Sequence, residues 1–256
     1  MKRKNTQEYN RVFYEKRVGT EDRVKVIVEC VANHYHGNIT SAIDLGCGLG
    51  ILVNSFREYY QDKCNDKFIV RGVDGDYVQK DLLIIGKNEF CSWNLEESYS
   101  DNQRYDIAIS TECAEHLEPS RADSFVDDLT RLSDMILFSA AIPYQGGVNH
   151  VNEQPLSYWV KKFEKRGYEL RDVIRPDIWD DKRIQYFYRQ NMVMFVKRGS
   201  MSYELLDKRA DNTLLDVIHP EIWEKTNIKL QGRLGKVFLR LENVMIKIRA
   251  WKNGKN

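Results

Sequence analysis

Long hydrophobic runs are missing from this 256-residue sequence, and the amino-terminal stretch MKRKNTQEYNRVFYEKR is polar throughout. No run approaches the roughly 18 apolar residues that a membrane span needs, so a soluble or membrane-peripheral chain is expected. Cysteine is sparse as well. Cys30, Cys47, Cys64, Cys91 and Cys113 are odd in number, scattered and never in a C-x-x-C arrangement. That pattern suggests neither a disulfide framework nor a thiolate zinc site, and it points to a reducing, cytoplasmic compartment. An excess of one charge is also lacking: 39 Lys and Arg stand against 38 Asp and Glu. Composition therefore gives no electrostatic reason to expect nucleic acid as a partner. The distribution is nevertheless uneven. Between 233 and 255, Arg233, Lys236, Arg240, Lys247, Arg249, Lys252 and Lys255 face Glu242 alone, a net +6 that leaves the first 232 residues at −5.

What is present alternates between short β-rich runs and helical stretches, the pattern of a parallel α/β sheet. Strands are predicted at 41–46, 67–73, 89–95, 105–110, 135–141, 168–174 and 191–197. Helices are predicted at 21–35, with Thr20 as N-cap, and at 49–60, 76–84, 121–132 and 155–166, the last opened by Pro155. No full crossover helix separates the last two strands, so one of them is expected to run antiparallel at the edge. The fold class is thus α/β: a Rossmann-like, doubly wound, seven-stranded and mostly parallel sheet with helices on both faces. Residues 1–199 form the main domain, including its N-terminal helix, and residues 200–256 a C-terminal extension. In that extension Leu234, Val237, Phe238, Leu241, Val244, Met245, Ile248 and Trp251 recur at three- and four-residue steps between the basic residues. This is a basic amphipathic helix, suited to packing on the domain, to a homodimer or to peripheral contact with an acidic membrane through 233–255.

The most informative motif is AIDLGCGLG, residues 42–50. A strand ends near Asp44, and Gly46, Gly48 and Gly50 follow at alternate positions, so the backbone can turn tightly and a ligand can approach it. The spacing is G-x-G-x-G rather than the G-x-G-x-x-G of dinucleotide binders, and Asp44 would repel a pyrophosphate. An amino-acid-like ligand with an ammonium group fits better. About 24 residues after the last glycine, Asp74 ends the second strand, where an acid can accept both hydroxyls of a ribose. The third strand runs into WNLEE, placing Asn94 and Leu95 to meet an adenine edge and face.

DLGCGLG, Asp74, WNLEE and YDIAISTECAEHL, in this order and spacing, resemble the class I S-adenosylmethionine-dependent methyltransferases over about residues 20–198. The resemblance implies that Asp44, Gly46, Gly48 and Gly50 surround the methionine moiety, that Asp74 holds the ribose and that Asn94 with Leu95 borders the adenine. Cys47, Gly75 and Thr111 join them as cofactor-binding positions. Many members carry Asp where this chain has Asn94.

After the fourth strand comes STECAEHLEP. Glu112, Glu115 and His116 are spaced i, i+3 and i+4, so in a helical turn they project from one face. Strands four and five are neighbours in this family's sheet, and the loop GGVNHVNEQPLSYW, residues 146–159, brings His150 from strand five toward the same place. Two readings stay open, beside a purely structural one. Glu112, Glu115, His116 and His150 can ligate Mg²⁺ or Mn²⁺, as in the small-RNA 2′-O-methyltransferases that this pattern resembles. Alternatively His150 or His116 acts as a catalytic base without a metal. Either way, a base or metal beside the methyl donor argues for O-methylation, since a sugar hydroxyl is a poor nucleophile at neutral pH. The segments after strand five also resemble methyltransferases of cell-surface polysaccharide pathways, which implies a saccharide or glycan acceptor. Tyr144, Asn149, Asn152, Gln154, Trp159, Trp179, Tyr186, Gln190 and Asn191 are the expected acceptor-side amides and aromatics. RNA ribose methylation is the first rival, disfavoured by the acidic main domain; a non-catalytic scaffold that binds S-adenosylmethionine is the second.

Overall fold

The computed structural model describes residues 10–15, 18–19, 21–61, 67–208 and 215–228. The chain divides into two compact units, residues 1–217 and 218–256. In the first, α1 (Arg11–Glu15) and α2 (Glu21–His34) precede β1 (Ser41–Leu45), α3 (Ile51–Gln61), β2 (Ile69–Asp74), β3 (Phe90–Ser92) and β4 (Ile107–Thr111). Then follow α4 (Ala122–Leu132), β5 (Met135–Ser139), α5 (Leu156–Glu164), β6 (Tyr168–Arg171), α6 (Ile174–Ile178), α7 (Tyr186–Asn191), β7 (Val193–Lys197) and α8 (Met201–Leu205). In the second unit residues 220–228 are helical. Thr20, Cys64 and the basic amphipathic segment 233–255 lie outside the described residues. Among the described residues no helix is long and apolar enough to cross a membrane.

The seven strands form one sheet in the order β3-β2-β1-β4-β5-β7-β6. Each predicted strand segment supplies one of them. The pairs from β3 to β5 are parallel, and β7 runs antiparallel to both β5 and β6. The expected antiparallel strand is therefore β7, with β6 outside it. β1 and β5 are buried at every position, as strands covered on both faces must be. Alternate side chains leave the sheet on opposite sides. Ala42, Ile107, Ile109 and Leu137 pack with Ile27, Val31, Val53 and Phe56 of α2 and α3. Ile43, Ala108, Ile136 and Phe138 pack with Phe125 and Leu129 of α4 and Trp159 and Phe163 of α5. Each such large side chain, once fully buried, stabilises the fold by about 1.5–3 kcal/mol.

One local expectation is corrected. Residues 76–84 form successive turns rather than a helix: the amides of Val78 and Leu82 donate to the carbonyls of Gly75 and Gln79, and Ile84 N donates to Leu49 O. Ile85 is buried beneath Gly50 and Gly72, and Tyr77 OH donates to Asp74. Tertiary contacts to the glycine turn thus outweigh the helical pattern. The connection between β6 and β7 holds two short helices, α6 and α7, neither of them a full crossover helix.

A buried ion pair anchors the loop after β3. Arg121, at the start of α4, pairs with the fully buried Asp128 one helical stretch further on. Arg121 Nε and Nη2 donate to the carbonyls of Leu95 and Glu97, and Asp128 accepts from Tyr99 N and Ser98 Oγ. The WNLEE segment is thereby stapled to α4.

Candidate active site

The order of strands reverses between β1 and β4, and in open α/β sheets ligands gather outside the carboxyl ends of the strands at such a point. Asp44 lies there, in register with Gly72 of β2 and Ile109 of β4. Its carboxylate is 2% exposed and Oδ1 has no hydrogen-bond partner. Burial first, and the charge of Asp74 second, push its pKa well above the carboxylate range. Gly46, Gly48 and Gly50 all have left-handed backbone, with φ of 90°, 54° and 78°. Their surroundings differ. A Cβ on Gly46 would strike Cys113 Sγ and one on Gly50 would strike Ile85, whereas nothing lies within 4 Å of a Cβ on Gly48. The first and third glycines permit packing, and the second leaves an open face.

Asp74 is also buried. Its Oδ1 accepts from Gly75 N at 2.6 Å and Tyr77 OH at 2.7 Å, and its Oδ2 accepts from Gly48 N at 2.7 Å. Oδ1 is filled, and Oδ2 keeps capacity for one further donor. Asn94 is exposed just beyond β3, its Oδ1 accepting from Glu96 N, while Leu95 is buried in the core over α4. Cys47 is buried with its Sγ against Gly72. Thr111 is half-buried at the end of β4, in register with Ser139 of β5.

The loops after β4 and β5 meet beside this turn, since Cys113 packs on Gly46. Glu112 does not begin a helical turn. Its amide donates to the carbonyl and hydroxyl of Ser139, and its φ is 48°, so the chain turns left-handed before the 3₁₀ turn Ala114–His116. Its carboxylate accepts from Gln145 Nε2 at 2.9 Å and Asn191 Nδ2 at 3.1 Å. Burial raises its pKa, and those hydrogen bonds together with His150 moderate the rise. Glu115 is placed differently. It is fully buried, neither carboxylate oxygen has a hydrogen-bond partner, and His150 Nε2 lies 3.9 Å from Oε1. Burial, then the charge of Glu112, raises its pKa well above the carboxylate range.

Glu115, His116 and His150 offer ligand atoms that all lie within 4.8 Å of one another, and the two imidazoles meet edge to face at 4.8 Å. Glu112 stands outside that triad, on its amides. His150 Nδ1 is 2.8 Å from Glu153 Oε1. A carboxylate only accepts, so Nδ1 carries a proton, and the ring's other nitrogen, Nε2, is the one on the Glu115 side. Glu153 also accepts from the amides of Tyr144 and Gly146, and the amides of Val151 and Asn152 donate to the carbonyl of Glu115. The loop is so closely wrapped that a Cβ on Gly147 would lie 2.1 Å from His150 Nε2. Among the described residues, those other than glycine with left-handed backbone are Glu112, Tyr144 and Asn149, all in these two loops. Such strain collects where surrounding structure holds a site in shape.

Comparison with solved structures bears on this arrangement. An O-methyltransferase family protein from Burkholderia thailandensis matches at TM-score 0.50 and 13% identity over 71% of this chain, which spans 57% of that protein's length. The magnesium protoporphyrin IX methyltransferase of Synechocystis with bound SAH matches at TM-score 0.50 and 18% identity, over 73% of this chain and 88% of that one. A plantazolicin methyltransferase, in complex with a triazolic desmethylPZN analogue and SAH, matches at 0.51 and 13% over 75% and 94%. The fold is the methyltransferase fold. The sequence matches no family model and no curated protein.

Three residues that the sequence did not single out join the candidate site. Tyr77 covers Asp74, Gln145 holds Glu112 and Glu153 orients His150. The acidic residue three positions after a histidine was the one available signal, for Glu153. The expected acceptor-side residues divide. Trp159, Gln190 and Asn191 are buried and line an internal space of about 10 Å³, room for about one water. Tyr144, by contrast, is 78% exposed beside the His150 loop.

Proposed function

We propose that the chain is an S-adenosylmethionine-dependent O-methyltransferase acting on a hydroxyl of a saccharide or glycan. The observation that carries this reading is the setting of His150, whose Nδ1 is held by Glu153 and whose Nε2 is left as a base at the ends of adjacent strands, beside the glycine turn. The donor set of that turn fits the cofactor. Asp44, with Oδ1 buried and unpartnered, would receive the ammonium; the open face of Gly48 admits the methionine portion; Asp74 Oδ2 has room for a ribose hydroxyl. Gly46, Cys47, Gly50, Gly75, Asn94, Leu95 and Thr111 complete that cradle. When bound, S-adenosylmethionine supplies a methyl group already activated on a sulfonium.

The protein then contributes orientation and a proton acceptor. As the acceptor oxygen takes the methyl group, its proton passes to His150 Nε2, and Glu153 stabilises the imidazolium that forms. The exposed ring of Tyr144, whose amide shares Glu153 with His150, offers a face on which a sugar can pack. The basic segment 233–255 would bring the enzyme to the cytoplasmic face of an acidic membrane, where lipid-linked glycans are met.

A second reading rests on Glu115, His116 and His150 lying within 4.8 Å of one another. These residues would hold Mg²⁺ or Mn²⁺, and a cation there would position and acidify the acceptor hydroxyl. Oxygen and nitrogen donors with two orphaned carboxylate oxygens fit such an ion.

The test is a methyl-transfer screen with labelled S-adenosylmethionine across nucleotide sugars, lipid-linked glycans and short RNAs, with and without EDTA. Labelled glycan in EDTA supports the base reading, and EDTA-sensitive labelling supports the cation reading. Labelled RNA alone would replace the acceptor class. Calorimetric titration showing no S-adenosylmethionine binding would overturn the proposal altogether.

A further inference from the structure

A second cluster of chemically capable side chains lies at the end of α2, built from three separate stretches of chain. Cys30 and His34 are one helical turn apart on α2, so both project from one face toward α6. Asp177 of α6 meets them. Its Oδ2 is 3.6 Å from Cys30 Sγ and 2.9 Å from His34 Nε2. The opposite nitrogen of the same ring, Nδ1, is 2.9 Å from Asp207 Oδ2, and Asp207 Oδ1 is 2.7 Å from His36 Nε2. Asp207 is itself held in register, its amide donating to the carbonyl of His34. The Cys30, His34 and Asp177 ligand atoms all lie within 4.8 Å of one another. Cys30 is buried, His34 intermediate and Asp177 exposed, so the group is closed on the helix side and open to water on the other.

We infer that Cys30 Sγ, His34 Nε2 and Asp177 form a zinc site, with Asp207 orienting His34 from behind and water completing the coordination. Tetrahedral zinc with ordinary Zn–S, Zn–N and Zn–O bonds places sulfur about 3.6 Å from oxygen, and nitrogen about 3.4 Å from oxygen. The structure has 3.6 Å and 2.9 Å, so the ion would seat with a small opening of the His34–Asp177 pair. A carboxylate on the ring nitrogen remote from the metal is the usual support of a histidine ligand, and Asp207 occupies that position. The sulfur donor selects zinc over the harder magnesium or manganese. Binding releases the Cys30 thiol proton and the His34 Nε2 proton to solvent and ties α2 to α6. Because Cys30 and His34 are not in a C-x-x-C or paired-cysteine spacing, and Asp177 and Asp207 are remote in sequence, only the fold assembles the set.

The inference stands apart from the proposed methyl transfer. Full-length protein freed of metal with EDTA is titrated with Co²⁺, which on binding a thiolate gives a charge-transfer absorption that histidine and carboxylate ligands lack. One equivalent should produce that band, and Zn²⁺ should abolish it. His150→Ala should keep the band, and Cys30→Ser should lose it. Asp177→Asn changes an exposed side chain and should weaken Zn²⁺ binding about tenfold or more while the fold is retained. Absence of the band from the wild type, its persistence in Cys30→Ser, or unaltered Zn²⁺ affinity in Asp177→Asn would each overturn the assignment.

Discussion

Replacing Asp44 with Asn should make the ligand-free protein more stable and destroy its capacity to hold the proposed cofactor. Asp44 is almost wholly buried, its Oδ1 has no partner, and Asp74 adds a like charge nearby. An unsatisfied buried polar group costs about 1–3 kcal/mol and a charged one more, and Asn removes the charge, which is worth at least a cost of that order. In a chain of this size each kcal/mol moves Tm by about 2–4 °C, so the variant should melt about 2–12 °C higher at neutral pH. The sign follows from the raised pKa. Well below the ordinary carboxylate value the group is protonated in both folded and unfolded chains, and no penalty exists. As pH rises above about 4 the unfolded chain gives up the proton first, so wild-type stability falls until the folded-state pKa is passed. Asn removes that fall. Calorimetric melting of both proteins between pH 4 and 8 should therefore show a difference that grows with pH. Adding S-adenosylmethionine should raise the Tm of the wild type alone. A variant less stable than wild type at neutral pH, or a difference independent of pH, would refute the argument and make Asp44 a structural residue.

Other changes separate chemistry from folding. His150→Ala should lower kcat by about 10²–10⁴ in methyl-transfer assays while leaving cofactor affinity, measured by calorimetry, unaltered. Glu153→Gln loses the charge behind Nδ1 and, because its amide nitrogen only donates, a loop hydrogen bond from Tyr144 N or Gly146 N as well, and should lower kcat by about 10–100-fold. Gly48→Ala meets no neighbouring atom, yet it fills the open face and occupies left-handed backbone; it should raise the cofactor KM more than it lowers kcat. Asp128→Ala leaves Arg121 buried without its partner and should lower unfolding free energy in urea by about 3–5 kcal/mol.

The sheet was legible because its signals are local. The run at 135–139 is apolar at nearly every position, and a strand covered on both faces has that composition. The glycine turn was legible for the same reason: spacing alone announces a tight turn after Asp44. Where local pattern and tertiary contact disagreed, contact prevailed. Residues 76–84 carry helix-forming residues, but Tyr77 is drawn to Asp74 and Ile85 to the space beneath Gly50 and Gly72, and a continuous helix cannot meet both. In the same way the i, i+3, i+4 spacing of Glu112, Glu115 and His116 implied one shared face. Pairing of Glu112 N with Ser139 extends the strand register one residue further and turns Glu112 aside.

That displacement gives the two glutamates different chemistry, and no spacing rule contains it. Glu112 receives two side-chain amides, from Gln145 and Asn191, both far away in sequence. Glu115 receives no side-chain donor and faces a histidine whose free nitrogen has been selected by a third carboxylate, Glu153. A satisfied carboxylate shapes a pocket; an unsatisfied one, buried beside two imidazoles, calls for a proton or a cation. The cation reading therefore depends on which of the two glutamates is left unpaired. The amides that decide this come from the β5 loop and α7, at the opposite ends of the segment that the polar loop after β5 opens.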